Sequence, residues 1–271
     1  MPGMIDGFRV IDLHVHSQLS GCADQPPGYK AELVLGHARK LGVDGVAFTD
    51  HVLEPQAALP AELVEEMGGR PGLERQRRLR ASLAELDTSG LPPFRVGAEV
   101  DVFAPGLFAV TPAGRKELDL AVLSANHPQL AGTPAPESDA PEAVARHILE
   151  KTFLAVRSGL ATSLAHPLIP LGRPRAAEAY ALYPGLGVEG LFEEARDAGI
   201  ILGFSRHLVT SAHLARQKEA AALYALAAKV GLQLAFETDC HQLWHLSCIV
   251  AMVEFARKLG LAPGNFIAEL P

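Results

Sequence analysis

The pattern that most limits what this chain can fold into is an alternation of short apolar runs with longer amphipathic stretches. The runs span 8–13, 43–49, 94–100, 118–124, 161–165, 200–204 and 232–238. Each is short, dominated by apolar residues and followed by turn or polar residues, as strands buried on both faces should be. Between and after them, segments 31–41, 73–86, 141–158, 176–182, 190–198, 208–230 and 243–259 carry helical periodicity. Gly42, Gly159, Gly199, Gly231 and Gly260 follow helical segments, where a residue tolerant of left-handed backbone angles ends a helix at little cost. The count is seven β/α units in one domain, 1–271, with no linker that separates a second.

Ends of the apolar runs carry the chemistry. His14 and His16, His51, Glu99, His127, His166, and Asp239 with His241 all fall at the C-terminal end of a predicted strand. Six of the 11 histidines therefore recur at one structural position. An open sheet gathers its ligands at one switch point and uses few strands. Donors on six of seven strands require the strand ends to encircle a site, which a barrel does. The expected fold is α/β: a barrel of seven β/α units with a multinuclear metal site at the C-terminal mouth.

Composition excludes several functions. A formal charge of −7 argues against general binding to nucleic acid or anionic lipid. No apolar run reaches the roughly 18 residues of a membrane span, and MPGMIDGFRV lacks a secretory pattern. Three cysteines, Cys22, Cys240 and Cys248, make no disulfide framework. A cytoplasmic enzyme is expected, and the oligomeric state stays open. Stretches 53–72, 129–140 and 169–187 are rich in proline and glycine and follow strands, where loops tune substrate choice.

Residues two apart on a strand share a face, so His14 and His16 reach one ion while Val15 packs the other way; Asp239 and His241 repeat this around Cys240. Glu99 follows an apolar strand, and a buried carboxylate needs cations or donors. His127 and His166 both precede proline, which is expected to hold them extended. Asp50 either orients a ligand or caps a helix. Arg206, at the sixth strand end, presents a fork suited to phosphate, with Arg173 or Arg175 as the other choices and His207 beside it. His37, His147 and His213 read as structural, and the arginine-rich stretch 69–80 as a solvated amphipathic helix.

Taken in order, DLHVHSQLSGCAD, GVAFTDH, GAEVDV, ANHP, AHP and TDCH resemble the PHP (polymerase and histidinol phosphatase) superfamily, and most of all its stand-alone histidinol-phosphatase-type branch. The resemblance covers nearly the whole chain. It implies a distorted (β/α)7, TIM-like barrel, two or three divalent ions (Zn, Mn or Fe) and hydrolysis of a small phosphorylated substrate by metal-activated water. It assigns one ion to His14, His16, Glu99 and Asp239, and a second to Glu99, His127 and His166. A third takes His51 and His241 with Cys22, which stands where the family pattern has histidine. A thiolate suits zinc, and Asp24 is the other choice. Glu99 and Asp239 lower the cluster's charge, while His241, His207 or a bound water protonates the leaving group. Two other classes fit parts of the pattern: an amidohydrolase-type barrel, whose strand-borne lysine is missing here, and a catalytically silent metal-binding module.

Overall fold

The apolar runs fold as strands of a single curled sheet. The structure is a computed structural model, and it describes residues 5–20, 26–54, 59, 72–127, 134–170, 175–210 and 217–271. The strands are β1 (Ile11–Val15), β2 (Gly45–Phe48), β3 (Phe94–Val96), β4 (Ala98–Ala104), β5 (Leu107–Phe108), β6 (Ala121–Ser124), β7 (Ser163–Leu164), β8 (Ile201–Ser205) and β9 (Leu234–Glu237). They form a nine-stranded sheet in the order β3-β2-β1-β9-β8-β7-β6-β4-β5. Every pairing is parallel except β4 with β5. Parallel neighbours need crossover connections, and the helices provide them. They are α1 (Ala31–Leu41), α2 (Glu74–Ala84), α3 (Pro112–Arg115), α4 (Pro141–Arg157), α5 (Ala176–Leu182), α6 (Val188–Asp197), α7 (Gln217–Lys229), α8 (Leu243–Ser247) and α9 (Ile249–Lys258).

Run 94–100, expected as one strand, divides at Gly97 and continues to Ala104. The first part pairs with β2 and the second with β6. Gly97 makes this possible, because a Cβ there would collide with the Leu120 carbonyl and side chain. Its N–H donates to Phe48 O (2.8 Å) and that of Ala98 to Leu120 O (3.2 Å), so the chain changes partners within one peptide. The β4–β5 hairpin and α3 were not expected from periodicity. Pro112 at the first turn and the Thr111 hydroxyl, which accepts from Gly114 N–H, start that short helix.

Two other segments depart from expectation. In 208–230 only α7 is helical among the described residues, and a 3-10 turn, Arg206–Leu208, ends the sixth run instead. Segment 243–259 breaks at Cys248 into α8 and α9.

Curling gives the sheet an inside. Ile11, Leu13, Ala47, Leu120, Val122, Ala165, Ile201 and Ala235 form a small inner cluster, against which Ile267 and Leu270 pack. The alternate residues, among them Val46, Phe48, Val100, Leu123, Phe204 and Phe236, join the helices in a larger core. Phe236 stacks on Phe266 (4.6 Å between centroids) and meets Phe204 edge-on. Truncating Phe236 to alanine would cost about 3–5 kcal/mol. Among the described residues no helix is long and apolar enough to cross a membrane.

Candidate metal centre

His14 lies in β1 and His16 follows that strand. The register of β1 against β2 shifts between Asp12 and Val15, the kind of irregularity that re-aims side chains. Val15 enters the large core, while the Nε2 atoms of His14 and His16 come within 3.2 Å of each other. Below them the Asp12 carboxylate accepts from Thr238 Oγ1 (2.6 Å), Thr238 N (3.1 Å) and His14 N (3.2 Å), locking β1 to the end of β9. Burial lifts Asp12 to a pKa of about 6, against these hydrogen bonds.

Glu99, in β4, is the common neighbour. Its carboxylate oxygens lie 3.1 Å from His166 Nε2, 3.2 Å from His14 Nε2 and His51 Nδ1, 3.5 Å from His16 Nε2 and 3.6 Å from His127 Nε2. Burial alone would push this carboxyl up. The imidazoles of His51, His14 and His127 overcome burial and hold it well below the usual carboxylate range.

Asp239 is the second acidic hub. Its Oδ1 lies 3.2 Å from His16 Nε2, 3.5 Å from His241 Nδ1 and 3.7 Å from His14 Nε2. His207 Nε2 is 3.2 Å and Arg206 Nη2 3.7 Å from its Oδ2. Burial opposes the charge on Asp239, yet hydrogen bonds to His16 and His207 keep its pKa well below normal. Arg206 also donates Nε–H to Thr238 O (2.5 Å).

Around these groups stand residues that orient them. Asp101 Oδ1 lies 2.7 Å from His127 Nδ1. Burial pulls the His127 pKa down, but Asp101 and Glu99 outweigh it and raise the pKa to about 9. Asn126 Oδ1 is 2.8 Å from His166 Nδ1, and Ser20 Oγ is 2.8 Å from His16 Nδ1. Burial drives His166 down to about 4 despite Glu99. Asp50 accepts from Ser17 N (2.6 Å) and Ser17 Oγ (2.5 Å), so it steadies the segment after β1 instead of capping a helix. Asp101 was legible from its position: two residues beyond Glu99 on a strand, it shares that face. Asn126 and Ser20 gave no signal beyond their nearness to histidines.

His166 is not extended, contrary to the expectation from Pro167. Its φ is +29°, and Asp239 has φ +48°, both in the region L-residues rarely adopt. Local hydrogen bonds override the proline preference: Glu237 accepts His166 N–H (2.7 Å), and the Asn126 amide donates to His166 O (2.9 Å) and Ile169 O (2.6 Å). Strained backbone of this kind persists where surroundings over-determine it, commonly at functional sites. Glu237 is fully buried, and burial, reinforced by Asp12, Glu99 and Asp239, pushes its carboxyl well above the usual range. Its carboxylate occupies the space where a Cβ on Gly203 would sit.

Donor atoms of three overlapping sets, His14–Glu99–His166, His14–His16–Asp239 and His16–His51–Glu99, each lie within 4.8 Å of one another. His51 lies against Glu99, and His241 stacks on His16 at 4.2 Å. Bonds of about 2.0–2.1 Å to a tetrahedral ion imply donor separations of about 3.3–3.4 Å. The nitrogen–oxygen distances of 3.1–3.6 Å around Glu99 match that spacing, so the residues fit divalent ions. His14 Nδ1 is buried without a hydrogen-bond partner among the described residues.

Cys22, Asp24, Arg173 and His213 lie outside the described residues. Arg175 is exposed and pairs with Glu178. At the rim, His245 Nδ1 accepts from His241 N (3.1 Å), and the exposed Trp244 lies beside His245 with the Arg206 guanidinium 6.0 Å from its ring centroid.

Fold and cluster together define an α/β protein whose curled sheet gathers buried imidazoles and carboxylates in one place. Two solved structures share this fold. One is the histidinol phosphate phosphatase of Lactococcus lactis, complexed with zinc, L-histidinol and phosphate; it aligns with a TM-score of 0.57 over 94% of this chain and 95% of its own at 14% identity. The other, assigned as a histidinol phosphatase of Listeria monocytogenes, aligns with a TM-score of 0.58 over 87% and 96% of the two chains at 12% identity. No family model and no curated protein matches the sequence.

Proposed function

We propose that this chain is a metal-dependent phosphomonoesterase acting on a small phosphorylated metabolite, with histidinol phosphate the leading analogue. The carrying observation is Glu99, whose carboxylate lies within 3.6 Å of imidazole nitrogens from five histidines spread along the chain. Such a set is costly to bury unless ions occupy it. Sharing a fold with a phosphatase that binds zinc and phosphate supports the same reading. Counting β3 and β4 as one strand and setting aside the antiparallel β5, the sheet reads as a seven-membered parallel ring in a single domain, 1–271, with the donors at its C-terminal rim.

When bound, two or three ions of the zinc, manganese or iron class supply Lewis acidity and acidify water near neutral pH. The residues do the remainder. His14, His16, His51, His127, His166 and His241 donate nitrogen, and Glu99 and Asp239 donate oxygen and offset positive charge; Cys22 is the further donor. Asp101, Asn126 and Ser20 fix ring orientations. Arg206, held by Thr238 O with Nη1 free of hydrogen bonds among the described residues, grips phosphate. Arg173 is the second candidate for that grip. His207 and His241 flank Asp239, and one of them or a bound water hands a proton to the leaving alkoxide.

Native metal content measured beside p-nitrophenyl phosphate turnover tests the proposal. His14→Ala and Glu99→Ala are expected to abolish turnover while circular dichroism stays unchanged. Turnover retained in both would refute it.

A further inference from the structure

The short helix after the last clustered histidine, α8, brings a tryptophan to the surface. Four large apolar side chains stand well exposed among the described residues, Leu33, Leu182, Trp244 and Val250, and Trp244 is the aromatic one, at 55%. A large indole left in water forgoes stability that packing would supply.

Its place is nevertheless fixed. The indole Nε1–H donates to Gln242 Oε1 (2.9 Å), and the ring meets that of His245 nearly at right angles, with centroids 4.2 Å apart. His245 Nδ1 in turn accepts the backbone N–H of His241 (3.1 Å), so the indole is tied to a residue of the cluster. The Arg206 guanidinium lies 6.0 Å from the indole centroid. Arg206 is itself buried, held by Thr238 O (2.5 Å) and 3.7 Å from Asp239 Oδ2. A flat, oriented and solvent-facing ring therefore stands beside the group assigned to grip phosphate.

Two kinds of ligand suit the face of an indole: a cation and another flat ring. Arg206 already brings positive charge to this ring, and it would repel a second cation. An uncharged ring meets no such cost and stacks offset on the indole.

We propose that Trp244 is a specificity-determining residue, and that the ester hydrolysed here carries an aromatic ring that stacks on the indole while Arg206 holds its phosphate. The inference rests on the phosphatase reading and names the substrate class of that site.

Steady-state kinetics of the zinc-loaded full chain test it with benzyl phosphate and cyclohexylmethyl phosphate. The two esters carry the same charge, release primary alcohols of similar basicity and differ in the flatness of the ring. The unaltered chain is expected to favour benzyl phosphate about 2–10-fold in kcat/KM, which is what an aromatic pair adds beyond its buried area. The gain should fall in KM, because the contact lies away from the reacting phosphorus. Trp244→Leu should abolish the preference, and Trp244→Phe should retain it. Equal kcat/KM for the two esters in the unaltered chain, or a preference undiminished in Trp244→Leu, would overturn the proposal while the phosphatase reading stands. Hydrolysis of neither ester would overturn both. The two-ester comparison needs no variant and decides even if a substitution impairs folding.

Discussion

Removing the Glu99 charge without removing its shape should uncouple metal binding from stability. In Glu99→Gln the side chain keeps its volume but loses the oxygen anion shared by His14, His16, His51, His127 and His166. Zinc that binds only the folded chain at one hundred times its Kd adds about 2.7 kcal/mol. For a chain of this size each kcal/mol moves Tm by roughly 2–4 °C, so zinc should raise Tm by about 5–10 °C. Losing even a residue that orients a ligand weakens metal affinity about 10–100-fold, and Glu99 touches every set but one. At a 100-fold loss the same zinc concentration equals the new Kd, and the stabilisation falls to about 0.4 kcal/mol, or about 1–2 °C. Differential scanning fluorimetry on chelator-stripped protein, titrated with zinc, reads both values. An unchanged Tm on adding zinc to the unaltered chain, or a full upshift in Glu99→Gln, would refute the reasoning.

Three further outcomes are expected. Asp101→Asn should lower the His127 pKa from about 9 in the metal-free chain, seen by NMR titration. A histidine whose folded pKa is raised contributes stability that is fully present below its unfolded value of about 6.5 and is lost as pH rises through about 9; urea unfolding should therefore show the Asp101→Asn deficit at pH 6 and its disappearance near pH 10. Gly203→Ala should cost about 1–3 kcal/mol in urea melts, because the new methyl displaces the Glu237 carboxyl that holds His166 N–H. Arg206→Lys should raise KM for p-nitrophenyl phosphate more than it lowers kcat, since lysine keeps the charge but loses the fork.

Much of the fold was legible because the parallel strands are short apolar runs and most helices end at glycine. Gly97 escaped notice: its role depends on Leu120, a neighbour brought close only by the curl of the sheet. Residues of the cluster were legible from their place after strands, and the set His14–His16–Asp239 falls within the four residues expected around one ion. The expected extension of His166 rested on Pro167 alone, whereas its backbone is fixed by Asn126 and Glu237, 40 and 71 positions away.

Trp244 is the chain's single tryptophan, and it sits at the rim with Arg206 on one side and His245 on another. Nature has thereby installed one indole lamp at the doorway of the cluster. Its emission will register traffic through that doorway without any attached dye, and no second lamp elsewhere in the chain will blur the signal.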